Sequence, residues 1–168
     1  MGALRKIEKV LIMKKKIISS IFVCYFLLMT VQNVHAYDKR SSIRITHQAF
    51  FQILERPVLD KKEFYDYFIK LNQKGWTTKQ VIEDLVIKEE HFQRFYLGKK
   101  YYIKKIFQHI LSVNISDRIC KRSLDEVNML EKKYGLYNAF KIFKRSLLKS
   151  TAYSKKFGLH QVPRYNSN

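Results

Sequence analysis

Glycine and proline are scarce in this chain: its 168 residues include only five glycines and two prolines. Because these residues punctuate turns, their scarcity leaves long uninterrupted segments, which argues against a sandwich of many short strands. Hydrophobic residues make up 46% of the chain and aromatic residues 14%, more than a disordered chain carries, so we expect a packed core. The composition therefore predicts one all-α domain.

Acidic residues are also few, since 14 Asp and Glu stand against 33 Lys and Arg, for a net charge of +19. Such an excess calls for an acidic partner: nucleic acid, an anionic membrane face or an acidic protein cavity. A simpler explanation accounts for part of this positive charge. A compositionally biased genome also enriches Lys, and runs of charge are usually solvated faces.

Signatures of catalysis are missing as well. The chain has no Gly-rich phosphate loop, and its histidines do not have metal-ligand spacing such as His-x-x-x-His. The carboxylates occur where surface helix charges and caps are expected. The sequence therefore predicts neither an enzyme nor a metal site, and we expect the histidines to be structural or exposed. They are His47, His91, His109 and His160 in the part after the leader.

Residues 1–36 have the layout of a secretory signal peptide. Three lysines at 14–16 precede an apolar run over 17–31, and Val34 and Ala36 then occupy the −3 and −1 positions of a cleavage site before Tyr37. The run of about 15 residues is short for a membrane span, which needs about 20. Cleavage after Ala36 is the first interpretation, and an uncleaved anchor is the second. Met13 is a more natural start than Met1, since it leads straight into the lysines.

Cleavage would leave 27 basic and 13 acidic residues, a net charge of +14. It would also remove Cys24, so Cys120 would be the single thiol and no internal disulfide could form.

After a polar entry segment, residues 37–45, apolar residues recur at helical spacing through a predicted helical domain, residues 46–166. Start signals fit these stripes: Asp60 and Thr77 have capping-box spacing, and Ser116 or Asp117 can cap the next helix. Glycines at 75, 135 and 158 follow lysines and sit where helices should end.

The domain has signs of internal duplication. Phe51-Gln52-Ile53-Leu54 is echoed by residues 107–111, and each half closes on a helix with an aromatic pair four residues apart, at 92 and 96 and at 153 and 157. These echoes predict a single compact multi-helix domain built from two helical half-repeats.

The end of the chain carries a family resemblance. Its motif reads Ser150-Thr151-Ala152-Tyr153, then Phe157-Gly158, then Val162-Pro163. Residues 46–166 with this ending resemble the linker domain of phycobilisome linker polypeptides, which closes on a Phe-Gly-x-x-x-Val-Pro-Tyr pattern. The chain departs from that pattern at Ser112-Val113, where the family has a Gly-Arg corner, and at Arg164. These departures, and the leader, favour a phycoerythrin-associated or γ-type linker over a standard rod linker.

The resemblance implies a non-enzymatic protein of photosynthetic light harvesting. Such linkers sit in the ring of phycobiliprotein α and β subunits, a trimer or hexamer, stabilise its assembly and tune energy transfer between bilins. The family implies association with the thylakoid. The leader favours its lumen side, and a membrane-anchored location on the cytoplasmic side is the second choice.

Aromatic residues and arginine dominate interface energetics, so we expect an aromatic-rich partner surface. The candidates are Trp76, Phe92, Phe95, Tyr96, Tyr101, Arg164 and Tyr165. The alternative for the phenylalanines is core packing. Since γ-type chains carry bilins, Cys120 is a candidate attachment site for phycoerythrobilin or phycourobilin, with Asp117, Arg118, Lys121 and Arg122 available for its polar groups. The alternative is a small buried apolar residue, as free cysteines usually are.

Two other functions remain open from the sequence. A basic nucleic-acid-binding helical module fits the charge and the aromatics, although the basic residues are spread along the chain and an export signal would separate it from nucleic acid. A membrane-surface adaptor would keep its N-terminal segment uncleaved.

Overall fold

The structure is a computed structural model that describes residues 37–163. Within these residues the chain forms eight α-helices and no strand, which confirms the predicted all-α fold. The helices are α1 Lys39–Leu54, α2 Lys61–Asn72, α3 Thr78–Ile87, α4 Glu89–Phe95, α5 Lys99–Leu111, α6 Asp117–Tyr134, α7 Leu136–Lys149 and α8 Thr151–Phe157. The predicted signal segment, with Ala36 on one side of its cleavage site, lies outside the described residues, as do Arg164 and Tyr165. None of these eight helices has the length and apolar character needed to cross a bilayer.

Side-chain caps explain where the helices begin. Thr77 accepts a hydrogen bond from the backbone N–H of Gln80, and the Gln80 side chain accepts one from the Thr77 N–H, so the predicted capping box is confirmed. Asp60 caps α2, and Ser116, rather than Asp117, caps α6. The polar entry segment is largely helical, because Asp38 caps a helix that starts at Lys39 and runs through the predicted boundary at 45–46.

Residues with a positive φ end several helices. Gly135 (φ 76°) closes α6 and Gly158 (φ 60°) closes α8, as the sequence predicts. Gly75 also has a positive φ, but it lies beyond the end of α2, which is at Asn72. Two non-glycine residues, Glu55 (φ 48°) and Ser112 (φ 53°), adopt the left-handed helical conformation after α1 and α5, whereas the two helix-ending glycines have ψ values of 161° and −141°. Neither of these two could be predicted from the sequence, because residues other than glycine rarely take this conformation.

The core is one continuous apolar cluster to which all eight helices contribute. In the first half of the fold α1 packs on α2, α3 and α4, and in the second half α5 packs on α6, α7 and α8. The halves meet where α3 lies against α7 and α1 against α5. The outer helices α2 and α6 each make their main contacts with two helices of their own half.

The closing segment, residues 157–163, folds back onto the domain. The Leu159 carbonyl accepts a hydrogen bond from the N–H of Lys79 (3.1 Å), and the His160 carbonyl accepts one from the Thr78 hydroxyl (3.1 Å). Pro163 is buried, and Val162 packs against the core. The segment therefore fixes the start of α3 as well as the end of the domain.

Candidate functional site

A groove of about 750 Å³ lies between α5 and α6, on the face that carries the cysteine. Tyr101 is on one of its walls and is 46% exposed, so the structure brings a candidate interface aromatic to the candidate attachment residue. The groove is lined by Lys100, Tyr101, Lys104, Asp117, Cys120, Lys121, Leu124 and Asp125.

Cys120 lies at the base of this groove and is only 3% exposed. Its thiol donates a weak hydrogen bond to the carbonyl of Lys100, at 3.8 Å from sulfur to oxygen. Of the four polar residues expected around it, Asp117 and Lys121 line the groove, whereas Arg118 and Arg122 do not. The thiol thus occupies the buried position typical of a structural cysteine, at the edge of the groove.

The polar residues of the groove fit a ligand with carboxylates. Lys100, Lys104 and Lys121 supply ammonium groups that would pair with propionates, and Asp117 and Asp125 would accept from pyrrole N–H groups. Lys104 and Asp117 are already paired at 3.0 Å, which raises the pKa of the lysine and lowers that of the carboxyl. The thiol itself is less suited to covalent attachment, because its hydrogen bond to the Lys100 carbonyl must first break.

The candidate interface aromatics divide between the surface and the core. Trp76 is half-buried, with the Lys70 ammonium 4.6 Å from its ring. Phe92 and Tyr96 are half-buried and stack on each other with ring centroids 4.6 Å apart. Phe95 is 6% exposed, so it is a core residue and not part of a partner surface in this conformation.

Packing explains the position of Phe95. It is on the side of α4 that faces inward, and its ring contacts His91 and His109 at centroid distances of 5.1 and 4.8 Å.

A buried hydrogen-bonded chain joins α1, α4 and α5, and it has no signature in the sequence. His91 Nδ1 lies 2.8 Å from the Tyr102 hydroxyl, and His91 Nε2 lies 2.9 Å from His109 Nδ1. This series of hydrogen bonds reaches the surface at Glu55, whose carboxylate is 3.1 Å from His109 Nε2 and 2.6 Å from the Lys105 ammonium. His91 and His109 are thus structural, as expected, but they share one network that only the folded chain brings together.

Burial governs the ionisation of the two histidines in this hydrogen-bonded network. It holds the pKa of His91 well below the ordinary value, with the charge of Lys144 acting in the same direction. Burial also lowers the pKa of His109, to about 4, although its bond to Glu55 opposes the shift. Both rings are therefore neutral at pH 7.

Lys144 is a fully buried lysine at the contact between the two halves. Its ammonium group donates to the carbonyl of Val86 in the last turn of α3, at 2.6 Å, and lies 5.0 Å from the centre of the Tyr102 ring. Burial lowers its pKa to about 7. The sequence offered only a weak signal for this residue, a lysine beside the apolar stripe of α7.

Ion pairs within residues 37–163 use most of the acidic side chains. Carboxylates in pairs with lysine or arginine are Glu55, Glu63, Asp66, Glu83, Asp84, Glu90, Asp117 and Glu131. Many cations therefore have no carboxylate partner in the described part, and among them are Lys61, Lys62, Arg118, Lys121 and Arg122. The positive charge of the chain is presented to solvent rather than neutralised within the fold.

No cluster of His, Cys, Asp and Glu in the described part could hold a metal ion. In the comparisons with known proteins, no family model matches the chain and no curated protein is significantly similar to it.

Proposed function

We propose that the protein is a non-enzymatic linker of a phycobiliprotein antenna of the phycoerythrin type, which binds within the ring of α and β subunits, stabilises their assembly and tunes energy transfer between bilins. The observation that carries the proposal is electrostatic. Most acidic side chains of the described residues are paired within the fold, and most of the remaining cations lie exposed around the helical core. Such a body is complementary to an acidic cavity.

The resemblance supports the linker assignment through the closing segment. Phe157 and Pro163 are buried, and Gly158 has the positive φ that favours glycine, so each of these motif residues has a structural reason. The motif is therefore part of how the domain closes.

We further propose that the domain is built from two half-repeats, α1–α4 and α5–α8. Six of the seven buried positions of α1, at 45, 46, 49, 50, 53 and 54, have the same intervals as six of the seven of α5, at 102, 103, 106, 107, 110 and 111; Ser42 and His109 are the unmatched ones. The buried positions 81, 82, 85 and 86 of α3 likewise match 139, 140, 143 and 144 of α7. In this register Lys144 is the counterpart of Val86, the residue whose carbonyl accepts its hydrogen bond.

Matching contacts at the helix ends support the duplication. The left-handed residues Glu55 and Ser112 end the equivalent helices α1 and α5. The Glu55 carbonyl accepts a hydrogen bond from Arg94 of α4 (3.3 Å), and the Ser112 carbonyl accepts one from Lys156 of α8 (3.4 Å). The last helix of each half thus supplies a cation to the C-terminus of the first, as helix dipoles favour.

In the proposed mechanism, charge steers the domain into the ring and fixes its orientation more than its affinity. Trp76, Tyr96 and Tyr101, with Tyr165 of the tail, then contact the ring subunits. Charge or an aromatic face beside a bilin shifts its excitation energy, and a rigid core limits non-radiative loss. The leader would direct the chain to the lumen side of the thylakoid, and N-terminal sequencing tests this: a start at Tyr37 means cleavage.

The groove between α5 and α6 is the place where this proposal puts a bilin, with Cys120 as its attachment residue. When bound, the group would supply visible absorption, and this chain's lysines would hold its carboxylates. Zinc-dependent fluorescence of the denatured chain on a gel tests attachment. A fluorescent band that is lost in Cys120→Ser is expected, and a dark band contradicts the assignment.

Reconstitution tests the proposed function itself. Phycobiliprotein rings assembled with and without the full chain should differ in absorption or emission maxima and in ring stability. Unchanged spectra and unchanged assembly contradict the proposal. A salt-dependent gel shift with DNA or RNA, together with no effect on rings, would favour the nucleic-acid-binding function instead.

A further inference from the structure

A buried hydrogen-bonded network holds the short helix α4 against α5, and one carboxylate fixes its direction. An ionised carboxylate only accepts hydrogen bonds, so His109 Nε2, which lies 3.1 Å from Glu55, carries a proton and donates it. His109 Nδ1 then accepts from His91 Nε2 at 2.9 Å, and His91 Nδ1 accepts from the Tyr102 hydroxyl at 2.8 Å. Each imidazole thus donates one hydrogen bond and accepts one, and the network is complete only while both rings are neutral.

Protonation of either ring breaks this pattern. A charged imidazole has two N–H donors, so a proton added to His109 Nδ1 faces the N–H of His91 Nε2 across 2.9 Å. If His91 shifts its own proton to Nδ1 in response, the Tyr102 hydroxyl must turn its proton away from the ring. His91 is 0% and His109 2% exposed, so the added charge is not solvated in the closed fold.

Charged groups on neighbouring helices also oppose protonation. Burial first, and then the charges of Lys144 on α7, of His109 and of Lys105 on α5, hold the pKa of His91 well below its ordinary value. Burial is again the largest effect on the pKa of His109, where Lys105 and Lys144 act with it and Glu55 acts against it. Glu55 already pairs with the Lys105 ammonium at 2.6 Å. An added positive charge therefore meets two ammonium groups and a carboxylate that is already shared.

The ends of α4 are weakly fixed. Its N-cap residue, Lys88, makes no side-chain hydrogen bond to the first turn. After its C-terminus the chain turns at Gly98, whose φ of 116° favours glycine and where an added Cβ would meet no atom within 4 Å. Glu90 and Arg94 bind residues 55–56, which follow α1, so these two side chains do not tie α4 to α5.

Aromatic side chains complete the contact between α4 and α5. Phe92 contacts the Tyr102 ring with centroids 5.4 Å apart. Phe95 contacts His109 at 4.8 Å and His91 at 5.1 Å, so both imidazoles of the network cover its ring. The burial of Phe95 therefore depends on the two groups of this contact that become charged when the pH falls.

We propose that α4 is a pH-sensitive lid on α5: proton uptake by His91 and His109 opens it and exposes the ring of Phe95. In the open state both imidazoles reach water, and the conflict between their N–H groups is removed. The bend at Gly98 lets α4 leave α5 while its contacts with residues 55–56 keep it beside α1. The inference uses only groups within the described domain, so it does not depend on the proposed function.

Two protons make the opening steep. An exposed imidazole titrates with a pKa of 6.5, whereas the closed fold holds the pKa of both rings far below this value. Between pH 6 and pH 5, linkage therefore raises the ratio of open to closed molecules about 50-fold for two rings and about eightfold for one. The pH dependence of opening thus reports how many protons are coupled to it.

Hydrogen exchange of the full chain at pH 6 and pH 5 tests the lid, with each amide rate divided by its intrinsic rate at that pH. The protection of the amides of residues 93–96 should fall about 50-fold in the wild type. It should be lower than the protection of the α6 amides at both pH values, because α4 opens without the rest of the domain.

Matched variants assign the protons to their rings. His91→Gln and His109→Gln each leave one titrating ring and should reduce the fall to about eightfold, and the double variant should show almost none. His47→Gln, at an exposed histidine of α1, is the control and should keep the fall of about 50-fold. Circular dichroism at pH 7 confirms that each chain is folded.

Three results overturn the lid. A wild-type fall of about tenfold or less excludes coupling to two protons, and this result does not depend on whether any variant folds. Equal protection in α4 and α6 means that the whole domain opens at once. A fall of about 50-fold that persists in both single variants places the protons elsewhere.

Discussion

Replacing the buried lysine at the contact between the halves should change the pH dependence of stability. Lys144 is completely buried and donates to the Val86 carbonyl, and burial lowers its pKa from 10.5 to about 7. Because the folded chain releases this proton more readily than the unfolded chain, stability rises as the pH increases from 7 towards 10.5. This gain in stability is lost again as the pH falls from 10.5 to 7 and below.

The magnitude follows from the two pKa values. Between pH 7 and pH 9, linkage of one such group contributes about 2 kcal/mol to the free energy of unfolding. Lys144→Met removes this contribution and replaces the amine with an apolar side chain of similar length. At pH 7 the variant should be at least as stable as the wild type, since the Val86 carbonyl left without its donor costs about 1 to 3 kcal/mol and burial of the charge costs more.

The assay is urea denaturation of both proteins at pH 7 and pH 9. Lys149→Met is the matched control, because Lys149 is an exposed lysine at the end of the same helix. The wild type and the control should each gain stability at pH 9 relative to Lys144→Met. An equal pH dependence in all three proteins would refute the assignment of Lys144 as a buried group with a lowered pKa.

Three further predictions test other parts of the structure. Burial lowers the pKa of His109 from 6.5 to about 4, so its contribution to stability is complete above pH 6.5 and is lost as the pH falls. About 2 kcal/mol of the free energy of unfolding should be lost between pH 7 and pH 4.5. Urea midpoints that do not fall over this range would contradict the buried position of the His109 ring. Cys120 should react with a thiol reagent no faster than the domain opens and at once in urea, so immediate reaction of the native chain would place the thiol at the surface. Gly135→Ala should cost about 1 to 3 kcal/mol through the backbone alone, because its φ of 76° and ψ of 161° are essentially reserved for glycine and no atom lies within 4 Å of the added Cβ. Equal thermal stability of the two proteins would contradict this backbone conformation.

Local features of the fold could be predicted from the sequence where a single residue has a strong backbone preference. Thr77 and Gln80 form the predicted capping box, and Gly135 and Gly158 end the helices that they were expected to end. These effects depend on the residue and its immediate neighbours, so spacing along the chain is sufficient to find them.

Features that depend on long-range packing could not be predicted in the same way. Glu55 and Ser112 adopt a left-handed conformation that their residue types disfavour, and cations from distant helices hold their carbonyls. His91 and His109 are 18 residues apart and meet only after α4 and α5 pack together. The sequence left Phe95 open between a partner surface and the core, because its short helix has no clear periodicity that tells the two sides apart, and the structure buries it.

The central claim is that this basic helical domain works as a linker within a phycobiliprotein antenna. Its most direct test is purification of the native chain with its partners at low salt, followed by a visible absorption spectrum of the complex. The account predicts co-purification with α and β phycobiliprotein subunits and bilin absorption bands, both lost together as salt screens the charges. A chain that is recovered without phycobiliproteins, in a colourless fraction, would contradict it.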